Sequence, residues 1–536
     1  MYGLGCRVFY FSVTNLRVRC SVAPVKPNRM PFLGSLIKTA LDINAKFASL
    51  PDQPRETQEE QLRYLISTAK DTAFGQYYGF ASLLEEEDLI SSYQRRLPVF
   101  DYKTLQRRWW KQQQDFPNIT WPGQPGFFAL SSGTTGKKSK RIPVTEEMLG
   151  VFRSVSQSQI AALANFDLPP DLYEKDILML GSSADLTPHK HHLEGEISGI
   201  NSSNIPGWFD GFYKPGKEIA SIDKWDERVT AIAEAAPDWD VAAIAGIPSW
   251  VRMMLIRIIE MHQLDTIHDL WPNLKLYATG GVAFEPHRKS FEALVSEPLT
   301  VMDTYLASEG FFSFTARPDT MNMQLAVEHG IFYEFITFDE RGFDETGGLL
   351  KNPEVHDLGE VEENQEYALV VSTPAGAWRY LIGDTIKFKD LEKFEIVISG
   401  RTKYFLNVVG SQLSEEKLNA AVKEISRELG EEINEYAVAA VKDDSGEYIH
   451  QWVLGSPTGK LNADRARELL DASLQKRNKN YRVAREKALK GVAVRSVKTE
   501  RIYNWLETGK KKGGQIKVPK VMKEKMMRSL LEHFGS

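Results

Sequence analysis

Between Ile177 and Met302 the chain repeats one pattern: a short apolar or β-branched run, a turn of small or polar residues, then an amphipathic helix. Ile177–Leu180 leads into Gly181-Ser-Ser183, Val241–Ala245 into Gly246-Ile-Pro248, and Leu274–Ala278 into Thr279-Gly-Gly281. Thr300–Met302 leads in the same way into a turn expected at Asp303-Thr-Tyr305. Ser249–His262 is the clearest intervening helix, with Val251, Met254, Leu255, Ile258 and Ile259 on one face. Strand, turn and helix in repetition predict an α/β domain whose functional loops leave the C-terminal ends of the strands.

The flanking regions read differently. From Ser35 to about Lys70 the spacing is helical, broken by Pro51 to Pro54, and Tyr93 to Trp110 is polar and aromatic. Beyond about Val361 the pattern turns strand-rich, at Tyr367–Ser372, Trp378–Leu381 and Glu395–Ser399. After Gly400-Arg401 a smaller unit begins. It holds a helix from Glu415 to Leu429, a strand pair around Asp443–Gly446 and a helix from Ala463 to Lys476. A chain of 536 residues is too long for one core. The expected division is a large α/β domain over 30–402 and a small α+β domain over 403–536.

Residues Met1–Arg29 carry Arg7, Arg17, Arg19, Lys26 and Arg29 but no Asp or Glu. They read either as a targeting peptide or as sequence preceding a natural start at Met30, and are set aside from the fold. Both cysteines, Cys6 and Cys20, lie there, so the body of the chain offers no thiolate nucleophile or disulfide framework. A net charge of −6 provides no global basic field for nucleic acid. No apolar run reaches the roughly 18 residues that a membrane span needs. These features fit a cytoplasmic enzyme of small molecules.

The densest chemistry is Ser131-Ser-Gly-Thr-Thr-Gly-Lys-Lys-Ser-Lys140, followed by Arg141-Ile-Pro143. Glycines let backbone N–H groups converge, hydroxyls add donors and lysines offset charge, which together suit a polyphosphate. It is not a Walker A loop, because Ser131 stands where that motif needs glycine. Read alone, it leaves a glycine-rich turn between two elements as the lesser alternative.

The arrangement resembles the phosphate loop of the adenylate-forming superfamily of acyl-CoA synthetases, peptide-synthetase adenylation domains and luciferases. With Lys140 and Pro143 downstream, it is most similar to the auxin-responsive acyl acid–amido synthetases. Further motifs follow in the family's order: Tyr305-Leu-Ala-Ser-Glu309, Trp378-Arg-Tyr-Leu-Ile-Gly-Asp384, Gly400-Arg-Thr-Lys403 and Gly513-Gly-Gln-Ile-Lys517-Val-Pro519. The second departs from the family pattern in having Trp378 for its first tyrosine.

The resemblance implies a large adenylate-forming domain, a small mobile lid, and ATP with Mg²⁺ as cofactors. It places Ser131, Ser132, Gly133, Thr134, Thr135, Gly136 and Lys140 around the phosphates, with Thr134 also catalytic. Gly280 and Gly281 would lie against adenine, and Tyr305, Ser308, Asp384 and Arg401 would complete the nucleotide site, Asp384 at the ribose hydroxyls. Glu309 would hold Mg²⁺, whose hard charge favours carboxylate oxygen. Lys517 would stabilise the charge gathered when a carboxylate attacks the α-phosphorus; one such contact is typically worth about 3 kcal/mol. Lys403 would be the hinge on which the lid turns between two half-reactions.

The reaction implied joins a small carboxylic acid to an amine, most readily an amino acid, through an acyl-adenylate. Three alternatives stay open: thioester formation with coenzyme A, an idle adenylate-binding protein, and phosphoryl transfer yielding ADP. Gly310-Phe311 after Glu309, and Lys137-Lys138 in the loop, count against plant hormones as substrates. His189-Lys-His-His192 with Glu194 and Glu196 has zinc-ligand chemistry but no second half at useful spacing. Trp208, Phe209, Phe212 and Tyr213 are candidates for the acyl pocket or for plain packing.

Overall fold

A computed structural model describes residues 53–131, 139–205, 211–281, 284, 287–344, 348–402, 413, 415–443, 446–487, 489–508 and 518–535. The alternation seen in the sequence becomes the parallel half of a large sheet. Its strands are β3 (Asp176–Leu180), β6 (Tyr213–Lys214), β7 (Val241–Gly246), β8 (Leu276–Gly280) and β9 (Thr300–Ala307). They run in the order β6-β3-β7-β8-β9, every adjacent pair parallel. Helices α4 (Trp225–Ala235) and α5 (Pro248–His262) cover one face, burying Val251, Met254, Leu255 and Ile258 as the periodicity predicts.

Beyond β9 the sheet turns antiparallel, adding β10 (Gly310–Phe314), β11 (Met323–Leu325), β12 (Phe332–Thr337), β13 (Val355–His356), β14 (Glu366–Thr373), β15 (Ala377–Asp390) and β16 (Glu395–Arg401). Two expectations are corrected here. The turn placed at Asp303-Thr-Tyr305 is strand: Thr279 and Gly280 pair with Asp303 and Thr304 on one side, while Phe314 and Ser313 pair with Thr304 and Tyr305 on the other. Tertiary pairing overrides the turn preference of the polar residues. Second, β10 and β12 did not show in the sequence because they are buried on both faces and lose the period of two.

A separate four-stranded sheet, β2-β1-β5-β4, carries the phosphate-loop sequence. Its strands are β1 (Phe127–Ser131), β2 (Lys140–Val144), β4 (Thr187–Pro188) and β5 (Leu193–Gly195). β1 and β2 are antiparallel with Ser131 opposite Lys140, so the register fixes the neck of the loop. Helix α2 (Glu146–Ala162) starts directly after. Thr145 caps it by accepting from the Met148 N–H, and Glu146 and Glu147 sit in its positive first turn. Its apolar face meets Phe311 and Phe314 of β10 in the main core.

The C-terminal unit has its own core under a sheet of β17 (Glu435–Lys442), β18 (Tyr448–Ser456) and β19 (Leu489–Lys498). Helices α6 (Glu415–Leu429) and α7 (Ala463–Arg477) pack on it, α7 being the crossover between the parallel strands β18 and β19. The boundary expected near Lys403 falls outside the described residues. No described helix is long and apolar enough to cross a membrane.

Candidate active site

Three strands bring the first constellation together. Tyr305 is buried on β9 and its Oη donates to Asp384 Oδ2 at 2.8 Å. Arg401 faces Asp384 across β15 and β16, its Nε lying 2.9 Å from Oδ1. Gly383 precedes Asp384 with φ of +101°, a conformation that a side chain would strain. The carboxylate thus sits at a local kink, fixed from both sides. Each of its oxygens has a second lone pair for an incoming hydroxyl.

A second chain of contacts starts at the neck of the phosphate loop. Lys140 Nζ donates to Tyr380 Oη at 3.3 Å, and Tyr380 Oη lies 3.2 Å from Glu309 Oε1 as donor. Glu309 occupies the β9–β10 turn yet is only 7% exposed, which rules out a solvated loop carboxylate. Burial pushes its pKa up, Lys140 opposes the rise, and the charge of Asp384 adds to it. A cation arriving there would favour the ionised carboxylate.

The run Trp378–Asp384 divides its labour. Trp378 donates its indole N–H to the Thr120 carbonyl and packs on Phe74 and Phe80. Arg379 is buried against Glu334, with Nη2 2.9 Å from Oε1, and its Nη1 donates to the carbonyls of Gln94 and Leu97. These two hold the fold, whereas Tyr380 and Asp384 face the site.

Gly280 and Gly281 end β8 and line the same cavity. A Cβ at Gly280 would collide with the Thr304 side chain, so this close approach of strands requires glycine. Asp303, half-buried beside them, lines the cavity too, and burial pushes its pKa up to about 7. Asp303, Tyr380 and Lys520 are the site residues that sequence reasoning missed. Asp303 stands two positions before Tyr305 and therefore on the same strand face, a signal that reading it as a turn concealed.

The cavity measures about 1960 Å³. That exceeds the roughly 300–1,000 Å³ usual for one small ligand, and fits a site that holds a nucleotide and an acid together. Ser131, Lys140, Gly280, Gly281, Tyr305 and Ser308 all line it. Glu309, Asp384 and Arg401 complete the gathered set. From the C-terminal unit, Glu435, Tyr436 and Lys520 close one side. Lys520 is ion-paired with Glu435, and burial lowers its pKa to about 8 against the pull of Glu415. His287 faces it across the cavity, driven down to about 3 by burial and by the charges of Lys520 and Arg252. Ser132, Gly133, Thr134, Thr135, Gly136, Lys403 and Lys517 lie outside the described residues.

The histidine cluster does converge: His189 Nε2 and His192 Nε2 each lie 3.2 Å from a Glu194 oxygen. Arg141 Nε is closer still, 2.6 Å from Glu194 Oε1, and already supplies the cation. Buried His192 Nδ1 has no partner among the described residues, whereas a metal ligand's second nitrogen normally donates to one. Trp208 and Phe209 lie outside the described residues. Tyr213 pairs with β3 at the sheet edge, and neither it nor Phe212 lines the cavity, which corrects the acyl-pocket expectation.

Three domains of one family match in order along this frame. They are the GH3 family N-terminal domain at residues 44–199, the central domain at 324–398 and the C-terminal domain at 416–526. The chain belongs to the GH3 family. Among curated relatives it is similar to indole-3-acetic acid-amido synthetase GH3.2 of Arabidopsis thaliana, 26% identical over 35% of this chain and 36% of that protein. It is likewise similar to GH3.3 of the same plant, 25% identical over 50% of this chain and 46% of that one. The alignments thus span about a third to a half of these relatives' lengths. The GH3.15 acyl acid amido synthetase structure with 2,4-DB superposes with a TM-score of 0.74 at 17% identity, over 95% of this chain and 97% of that one. A 2-hydroxyisobutyryl-CoA ligase in its postadenylation state gives 0.56 at 13% identity, over 90% and 92%. These structures establish the fold: a GH3-type α/β architecture with a separate C-terminal unit.

Proposed function

We propose that this GH3 chain is an ATP-dependent acyl acid–amido synthetase. The observation that carries the reading is the pair of networks meeting in one cavity, Tyr305–Asp384–Arg401 on one side and Lys140–Tyr380–Glu309 on the other. The amido synthetase names of its GH3 relatives support it.

In the first half-reaction a carboxylate oxygen of the acid attacks the α-phosphorus of ATP. The bond to the β-phosphate oxygen breaks and pyrophosphate leaves, giving acyl-AMP. Asp384 would accept hydrogen bonds from the ribose hydroxyls while Tyr305 and Arg401 keep it aimed. Lys140, the loop after Ser131 and Lys517 would offset the anionic charge. Glu309 fits Mg²⁺ in its donor chemistry, being a buried carboxylate that accepts from the Tyr380 hydroxyl and keeps further lone pairs for a cation. The metal, when bound, neutralises phosphate charge. In the second half-reaction an amine, best read as an amino acid, attacks the acyl carbon. The bond to AMP breaks, AMP leaves and the nitrogen loses a proton. Acyl-AMP is a reactive mixed anhydride, so the C-terminal unit must keep water out while the amine enters. The reading places the reaction in the cytoplasm.

The deciding measurement is AMP and pyrophosphate release from Mg·ATP over a panel of carboxylic acids, with pooled amino acids or coenzyme A. AMP release that depends on an acid and an amino acid supports the proposal. Dependence on coenzyme A moves the chain to the thioester branch, and ADP as product overturns the mechanism.

A further inference from the structure

The part of the cavity that leads away from Lys140 and Glu309 has a defined shape. Its floor is the α2-side face of the parallel strands, read at alternate positions. Across one row Met179, Ala245, Ala278 and Met302 stand side by side in register, and all four line the cavity. Two alanines flanked by two methionines make a trough. The next row inward is Ile177, Ala243 and Leu276, also cavity-lining and also in register. Ala243, Leu276 and Met302 pack in one cluster with Leu163, which follows α2 and stops the far end. Leu149 and Phe152 of α2 and Phe311 of β10 give the roof apolar groups, and Ser156, Gln157 and Gln159 of α2 add polar ones.

Among the described α2 residues that line this arm only Arg153 is charged. Lys140 stands at its entrance, where a carboxylate must meet the phosphates. Arg153 borders the cavity from α2, but its side chain is 48% exposed and lies 3.9 Å from Glu146. A second carboxylate or an ammonium carried deep into the trough would therefore be buried without a partner. The depth can be read along β8. From Gly280 to Leu276 is four residues, about 13 Å of strand. A saturated zigzag of ~1.5 Å bonds advances about 1.3 Å per carbon, so the trough accepts about eight to ten carbons.

We infer that the acid activated here is a medium-chain, unbranched alkanoic acid of about that length, its tail lying over Ala245 and Ala278. This rests on the ligase reading above and names its substrate class. The two-alanine floor between methionines favours a slim chain over wide ring systems, Leu163 at the far end favours a medium length, and the lack of a buried cation on the trough floor disfavours dicarboxylates.

The test is pyrophosphate release with butanoate, decanoate, hexadecanoate, benzoate and decanedioate, using the full chain with Mg·ATP and pooled amino acids. Decanoate is expected to give the highest kcat/KM, about 10-fold or more above butanoate and decanedioate, since buried methylenes each contribute about 0.8 kcal/mol. Ala278→Leu or Ala245→Leu fills the trough and should shorten the preferred chain to about four to six carbons. Ala→Val at the same positions, checked for unchanged thermal denaturation, gives a smaller shift if the larger residue prevents folding. Turnover best with benzoate, decanedioate or hexadecanoate overturns the inference alone, as does a length preference that ignores both alanines. Release with none of the acids, across a wider panel too, overturns the ligase reading and this inference with it.

Discussion

Tyr380 is the residue whose position says most about the site. Its hydroxyl links Lys140 to Glu309, 3.3 Å from one and 3.2 Å from the other. Tyr380→Phe keeps the ring packed near Trp110 and removes that link. It leaves a buried carboxylate short of a donor, a cost of about 1–3 kcal/mol. Pyrophosphate release is expected to fall about 10- to 100-fold, with a modest fall in melting temperature from the lost donor; unchanged kcat/KM would remove Tyr380 from the machinery. Asp384→Ala should raise the Kd for ATP measured by calorimetry, and an unaltered Kd removes the ribose role. Asp303 makes a pH prediction. Its folded pKa of about 7 stands above the ordinary aspartate value of 3.8. The folded state therefore binds the extra proton, and the stability this gives is complete below about pH 4 and lost as pH rises through 7. Asp303→Asn should flatten that decline, so that its melting temperature gains on the parent between pH 5 and 8. Parallel melting curves across that range would contradict it.

At the scale of elements, the hairpin β1–β2 shows how much of the site was legible. Hydroxyls, glycines and lysines bounded by Ser131 and Lys140 mark a phosphate loop in the sequence, and the register then sets those two residues opposite each other. The parallel strands were equally legible, because turn residues interrupt apolar runs at regular intervals. Asp303 was not, because its strand status depends on neighbours distant in sequence, on β8 and β10. Nor could the sequence divide the Trp378–Asp384 run. Only the partners reveal that Arg379 is buried against Glu334 while Tyr380, the next residue, faces the site. That division predicts unlike phenotypes. Glu334→Ala strands a buried guanidinium, and breaking such a pair costs about 3–5 kcal/mol. Equilibrium urea unfolding should show that loss, whereas Asp384→Ala should unfold near the parental midpoint.

For the whole molecule, the family resemblance implies two units and a hinge at Lys403, a residue outside the described ones; the GH3 central and C-terminal domains match at 324–398 and 416–526. The interior contacts between the units were beyond any motif. Lys520 and Glu435, paired within the C-terminal unit, meet His287 only because separate cores are brought against one cavity. Lys517→Ala is expected to reduce acyl-AMP formation at least about 100-fold while ATP binding persists, on the scale of a lost transition-state donor. Near-normal AMP release would free Lys517 from that assignment.

One feature of that cavity reaches into the order of events. Both proposed half-reactions would share the chamber of about 1960 Å³ that the described residues of the two units wall together. Occupants must then take turns, and a molecule arriving early becomes an obstacle. Acceptor amine present in excess should compete with the departing pyrophosphate for room, so initial velocity should rise and then fall as its concentration increases. The traffic through the chamber, rather than either bond-making step, would set the pace at high acceptor.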